Sequence, residues 1–112
     1  MPTSTFVTTD LAANSKTANL LAGDINEFVP FRAQISIYAV NSEDDVNMTV
    51  LADSDVVVDD TEIVFVGTTV DKSAHLIDQF VVNPGTRLAI FLRETGGVAT
   101  ADILTIVDVT PI

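Results

Sequence analysis

The chain has 112 residues, which suits one domain with a single hydrophobic core. Its 16 acidic and 5 basic residues give a formal net charge of −11. This charge argues against direct binding to nucleic acid, because phosphate contacts need clustered Lys and Arg. The lack of cysteine excludes disulfides and thiolate metal sites, and no run approaches the roughly 18 consecutive apolar residues of a membrane span.

The composition indicates β structure. Val, Ile and Thr account for 39 residues (16, 9 and 14), and β-branched side chains pack well on a pleated sheet. No window sustains an apolar period of 3.6 over three turns, whereas alternation at period 2 recurs along the chain. We therefore predict an all-β protein.

The N-terminal quarter differs from the rest of the chain. It is rich in Thr, Ala and Asn and has only short apolar islands. Two interpretations remain open: an edge strand followed by a long connection, or an arm that lies on a neighbouring subunit. We divide the chain into residues 1–27, an extended N-terminal arm or edge segment, and residues 28–112, a β-sandwich domain. The candidate assembly contacts in the first part are Phe6, Val7, Leu11, Leu20 and Leu21.

Alternating segments predict six or seven strands between residues 28 and 110. "FRAQISIYAV" and "VNMTVLAD" each place small and apolar residues on one face. "TEIVFVG" is apolar on both faces and predicts a central strand covered on both sides. Short turns without intervening helices indicate a sandwich or barrel. The predicted inner faces include Ile35, Ile37, Met48, Val50, Phe65, Phe80, Ile90, Leu92 and Val107.

The C-terminal third carries the clearest turn signals. Pro84-Gly85 in "NPGT" suits the two central positions of a type II turn. Beyond it, "RLAIFLRET" and "VATADILTIVDV" flank Gly96-Gly97, a pattern that predicts a β-hairpin.

Eight carboxylates without a basic residue lie between positions 41 and 62. An EF-hand loop needs a Gly at its sixth position, and no Gly occurs from the start of this stretch to Gly67. A looser calcium site built from two loops stays open. Asp is a common turn residue, so the favoured interpretation is the solvent-facing side of a sheet. The eight are Glu43, Asp44, Asp45, Asp53, Asp55, Asp59, Asp60 and Glu62.

Catalytic and cofactor signatures are sparse. His75 is the only histidine, and no cysteine or GxSxG motif accompanies it. "TGGVAT" lacks the spacing and the Lys of a phosphate-binding loop. We therefore expect no enzyme, no catalytic residues, no resident metal and no cofactor, and we rank a small hydrolase last among the functions considered.

The C-terminal sequence "VVNPGTRLAIFLRETGGVATADILTIVDVTPI", preceded by alternating strands and an extended Thr/Ala/Asn-rich segment, resembles the phage capsid decoration or cement proteins of single jelly-roll type. The resemblance implies an antiparallel, jelly-roll-like β-sandwich with an extended N-terminal arm. It also implies a protein of the virion, made in the host cytoplasm. Such a protein sits on a shell of major capsid protein, often as a homotrimer, and stabilises the shell through arm and edge-strand contacts.

A second function remains open. A non-catalytic module of immunoglobulin-like or carbohydrate-binding type, part of a larger extracellular or tail assembly, also fits a small β-sandwich. The chain has no Trp and a single Tyr, Tyr38, which disfavours a sugar-binding platform. The lack of Cys disfavours an immunoglobulin domain.

Overall fold

The computed structural model describes residues 3–11, 14–42, 45–67, 69–96 and 101–112, and it describes the backbone alone for Thr9, Asp10 and Ala101. Within these residues the chain forms eight β-strands and no helix. The strands are β1 (Thr3–Leu11), β2 (Phe28–Val29), β3 (Ala33–Asn41), β4 (Val46–Ala52), β5 (Asp55–Glu62), β6 (Leu76–Val82), β7 (Thr86–Glu94) and β8 (Ala101–Pro111).

The strands form two four-stranded antiparallel sheets. Sheet 1 has the order β1-β8-β3-β6, and sheet 2 has the order β2-β7-β4-β5. Antiparallel pairs join β1 to β8, β2 to β7, β3 to β6 and β4 to β5, so the pairs are nested along the chain. The additional pairs β3–β8 and β4–β7 join the nested pairs into the two sheets of the sandwich. This is a jelly-roll order, and the predicted all-β, jelly-roll-like sandwich is confirmed.

The core lies between the two sheets, as the alternation predicts. Buried side chains come from every second position of β3, β4, β7 and β8. Phe80 is only partly buried and packs against the core, while Phe65 lies outside it and contacts the ring of His75 at 5.1 Å. The other predicted inner-face residues are buried: Ile35, Ile37, Met48, Val50, Ile90, Leu92 and Val107.

The predicted central strand over residues 61–67 is wrong. Strand β5 ends at Glu62 and is the edge of sheet 2, and the chain then leaves the sheet. Ile63 is buried, but Val64 and Val66 are exposed. The apolar run therefore marks a connection that touches the core at one residue. Periodicity alone does not separate such a run from a buried strand.

The predicted hairpin between residues 87 and 109 is also wrong. Strand β7 belongs to sheet 2 and β8 to sheet 1, so the chain crosses between the sheets at this point. Gly96 precedes the crossing, and Gly97 lies outside the described residues. Both strands bury their alternate apolar positions whether they form a hairpin or lie in different sheets. The long-range pairing of β8 with β1 and β3 places β8 in sheet 1.

Residues 3–11 form the edge strand of sheet 1, which is the edge-segment alternative for the N-terminal quarter. The following segment runs along the free edge of β7. Thr17 N–H donates to the carbonyl of Leu92 at 2.8 Å, and Leu20 N–H donates to that of Ile90 at 2.9 Å. The N-terminal quarter thus completes both sheets on one side of the sandwich. In the described part of the chain, nothing helical has the length and apolarity needed to cross a membrane.

Candidate functional site

The outer face of sheet 1 is built from residues far apart in sequence. Thr5 on β1 lies opposite Ile106 on β8, which lies opposite Tyr38 on β3, which in turn lies opposite Leu76 on β6. This row crosses the whole sheet. Alternation of side chains along each strand directs all four away from the core.

A second row at the same end of the sheet extends the apolar surface. Val7 on β1 lies opposite Leu104 on β8, which lies opposite Val40 on β3. Val7 is 68% exposed, whereas Val40 is fully buried although it lies on the outer side. Beside Val40 the β5–β6 connection pairs with β3, where Asn41 N–H donates to the carbonyl of Phe65 at 3.0 Å.

The next row is polar, and its groups are paired with one another. Asp108 accepts hydrogen bonds from Thr3 Oγ1 at 2.8 Å and from Lys72 Nζ at 2.7 Å. Lys72 Nζ also lies 5.7 Å from the centre of the Tyr38 ring, within cation–π distance. The one carboxylate in this row is therefore balanced by a lysine that reaches across the face.

We call the uncharged part of this outer face the apolar strip. It runs from edge to edge of sheet 1 and consists of side chains that are exposed or half-buried. Leu76, at the β6 edge, is 41% exposed. The strip comprises Val7, Tyr38, Leu76, Leu104 and Ile106.

The outer side of sheet 2 is charged by comparison. Strand β5 exposes Asp55, Asp59, Asp60 and Glu62 at the sheet edge. Arg93 on β7 forms an ion pair with Asp60, and its Nε donates to Asp60 Oδ1 at 3.1 Å. This hydrogen bond, more than the charge of the guanidinium, lowers the pKa of Asp60 below its ordinary value.

The residues predicted as assembly contacts do not lie together on the surface. Leu11 and Leu21 belong to the core of the chain itself, so they offer little or no side-chain surface to a neighbour. Phe6 and Leu20 are partly buried and pack against that core. Val7 alone among the five is exposed, and it belongs to the apolar strip.

The acidic stretch follows β4, β5 and their turn. The described carboxylates Asp45 and Asp53, together with the four on β5, are exposed; Glu43 and Asp44 lie outside the described residues. Asp53 has a role in the fold, because its Oδ1 accepts a hydrogen bond from the backbone N–H of Arg87 at 3.0 Å. The described chain contains no group of three or more His, Cys, Asp or Glu residues arranged to hold a metal ion.

His75 closes a local turn. Its Nδ1 accepts the backbone N–H of Asp71 at 3.0 Å, and its ring packs against Phe65. Asp71 in turn accepts hydrogen bonds from the side chain and backbone of Ser73, and these lower the pKa of Asp71. The histidine thus helps to order the connection that precedes β6.

Sequence reasoning missed a buried carboxylate at the end of β7. Glu94 is only 1% exposed, and its oxygens accept the backbone N–H groups of Asn14 at 3.2 Å and Gly96 at 3.0 Å. Its place in the alternation of "RLAIFLRE" was a signal, because position 94 continues the inward series of Leu88, Ile90 and Leu92. The carboxylate binds two loops to the strand.

Comparison with known proteins adds no relative: no protein-family model matches the chain, and no curated protein matches it significantly.

Proposed function

We propose that the protein is a structural component of a virion that decorates a capsid shell and docks on the shell through the apolar strip. The observation that carries this proposal is the strip itself, an uncharged surface in a chain of net charge −11. Jelly rolls recur in viral capsid proteins, and the strand order supports the same assignment.

Burial of the strip would supply the contact energy. Val7 and Leu76 are large apolar side chains with exposed surface, and full burial of such a side chain is worth roughly 1.5 to 3 kcal/mol. A few such contacts hold a single copy of the protein on the shell only weakly. On a shell the contacts repeat with the symmetry of the lattice, and linked copies gain affinity through effective concentration.

The charge distribution supports one orientation on the shell. The carboxylates of β5 repel an acidic surface and attract only a basic one, whereas the apolar strip is indifferent to the sign of its partner. We propose that sheet 1 faces the major capsid protein and that β5 faces solvent. Because salt screens the general repulsion of an acidic chain but leaves apolar burial intact, docking should persist or strengthen as salt is added.

Co-sedimentation with assembled shells of the virus that encodes the chain tests the proposal. Leu76→Asp and Val7→Asp place a charge in the strip and should abolish co-sedimentation. Val56→Asp is the matched control, because Val56 is 54% exposed on the edge strand β5 of the other sheet. Absence of the wild-type chain from the shell fraction, or equal loss in all three variants, would overturn the proposal.

Carbohydrate binding is the second candidate, and Phe28 is the observation that favours it. Its ring is 58% exposed, and the Arg87 guanidinium lies 5.9 Å from the ring centre. An exposed ring beside a donor-rich side chain can stack on a sugar, and jelly rolls also serve as lectins. Glycan binding that is lost in Phe28→Ala, together with no docking on shells, would favour this function.

A further inference from the structure

Strand β1 presents a free backbone edge. It pairs with β8 on one side, and within the described part of the chain no strand lies on its other side. Pairing with β8 is regular from Thr3 to Thr8, and a register shift follows before Leu11. In an antiparallel strand, alternate residues direct their N–H and C=O groups away from the partner. This edge is therefore a template for one more strand.

The other edges are protected. Strand β5 carries exposed carboxylates and two register shifts in its pairing with β4. Strand β2, the other edge of sheet 2, has only two residues, and residues 15–20 cover the adjoining side of β7. Strand β6 contains Asp78 and a register shift next to it. By contrast, residues 3–8 of β1 read "TSTFVT" and have no ionisable side chain.

We propose that β1 pairs with β1 of a second copy of this chain, antiparallel and related by a two-fold axis at Thr5. Thr5 then lies opposite Thr5 of the second copy, and Thr3 lies opposite Val7 of the second copy. The outward N–H groups of each strand meet the outward carbonyls of the other. The inference goes beyond docking on a shell and does not depend on it.

A second copy fits this edge because the edge is uncharged and a two-fold axis pairs it with itself. Two chains of net charge −11 repel each other, so copies can approach closely only where carboxylates are absent or paired. The outward side chains of residues 3–8 are the uncharged Thr3, Thr5 and Val7, and the adjacent Asp108 carboxylate is paired with Lys72. A two-fold axis places these neutral, β-branched side chains against each other, a favourable type of cross-strand pair.

A second feature on the same side adds apolar surface. Ser4 Oγ donates to Asp24 Oδ2 at 2.6 Å, which holds residues 24–26 beside β1. The Asp24 carboxylate also accepts the Asn26 N–H at 3.0 Å, so its charge is engaged within the chain. Ile25, between these residues, is among the most exposed apolar side chains of the protein.

The pairing has a consequence for assembly. Sheet 1 of each copy would continue into sheet 1 of the other, giving one eight-stranded sheet with both apolar strips on the same face. An isologous contact of this kind closes at two subunits, so it gives even-numbered assemblies and not the trimer that the resemblance implies.

Single-cysteine variants test the pairing directly, because the chain has no cysteine of its own. Residues opposite each other across an antiparallel pair have Cα atoms roughly 4.5 to 5.5 Å apart, which a disulfide can span. Under mild oxidation in high salt, Thr5→Cys should form a covalent dimer. Thr3→Cys and Val7→Cys should link to each other when mixed, more than either links to itself. Val56→Cys is the control and should stay monomeric.

Two further results bear on the inference. Circular dichroism should show that each variant keeps the β fold, since Thr3, Thr5 and Val7 are exposed. Native mass of the wild-type chain in high salt should be that of a dimer. A monomeric or trimeric mass, or cross-linking by Thr5→Cys no greater than that of Val56→Cys, would overturn the proposal. Docking on shells is measured separately through Leu76→Asp, at the opposite edge of sheet 1, so the two proposals can fail independently.

Discussion

Gly96 lies against the side chain of Asp45, so closely that a Cβ at position 96 would stand 2.7 Å from Asp45 Cβ and 2.6 Å from Asp45 Oδ2. Thr95 ties the same two loops together, because its N–H and its Oγ1 both donate to the carbonyl of Asp45, at 2.8 Å and 2.9 Å. The glycine is therefore required by close approach, and its N–H is also one of the donors to the buried Glu94 carboxylate, at 3.0 Å.

We expect Gly96→Ala to destabilise the fold. The Asp45 Cβ is bonded directly to the backbone, so it cannot rotate away from an added methyl group. The cost should be of the order of 1 to 3 kcal/mol, as for overpacking elsewhere. Gly67→Ala is the matched control, since a Cβ at Gly67 would meet nothing within 4 Å. Chemical denaturation measures both, and equal stability of the two variants would contradict the close contact.

Leu21 and Val7 should behave oppositely, although the sequence groups them as assembly contacts. Leu21 is fully buried in the core, so Leu21→Ala should lower the free energy of unfolding by about 2 to 5 kcal/mol. Val7→Ala changes an exposed side chain and should stay within about 0.5 kcal/mol of wild type. Denaturant titration of the monomeric variants measures both free energies of unfolding. A stable Leu21→Ala chain would return this residue to an intersubunit role.

Glu27 should make stability depend on pH. The backbone N–H of Gly23 and the Arg87 side chain both donate to its carboxylate and hold the pKa below its ordinary value of 4.5. A lowered folded-state pKa means that the stabilisation is present above the unfolded value and is lost as the pH falls through the folded value. The melting temperature of wild type should therefore exceed that of Glu27→Gln near neutral pH, with the gap closing below pH 4.5. A gap that does not change with pH would contradict this role.

The carboxylates of β5 should protect its edge from pairing. Replacing Asp55, Asp59 and Glu62 with Asn, Asn and Gln should promote aggregation, because an uncharged edge strand recruits other strands. Replacing the same three residues with Lys is the matched control. This variant should stay soluble although its net charge is closer to zero than that of the amide variant. Light scattering measures both, and greater aggregation of the Lys variant would show that net charge alone controls solubility.

The alternation of apolar residues predicted which side chains face the core, but not which strands pair. In β4 and β7 the buried positions follow the sequence pattern because side chains alternate along a strand, whereas β3 also buries the outward Ser36 and Val40. The same pattern is satisfied by a hairpin or by a crossing between sheets. The positions of β7 and β8 in opposite sheets therefore depend on long-range pairing, which the local sequence does not encode.

The apolar strip could not be predicted from the sequence, for a related reason. Thr5 and Ile106 are neighbours only because the first and last strands pair, and Tyr38 and Leu76 join them through β3 and β6. Each of these residues occupies a polar or outward position in its own segment. The surface exists only once the register of four strands is known.

Hydrogen–deuterium exchange of the chain, free and bound to assembled shells, shows whether sheet 1 is the docking face. Docking through the apolar strip should slow exchange in residues 3–8, 76–82 and 103–107 and leave β5 unchanged. Slowed exchange confined to residues 55–62, with sheet 1 unaffected, would show that β5 and not the apolar strip contacts the shell.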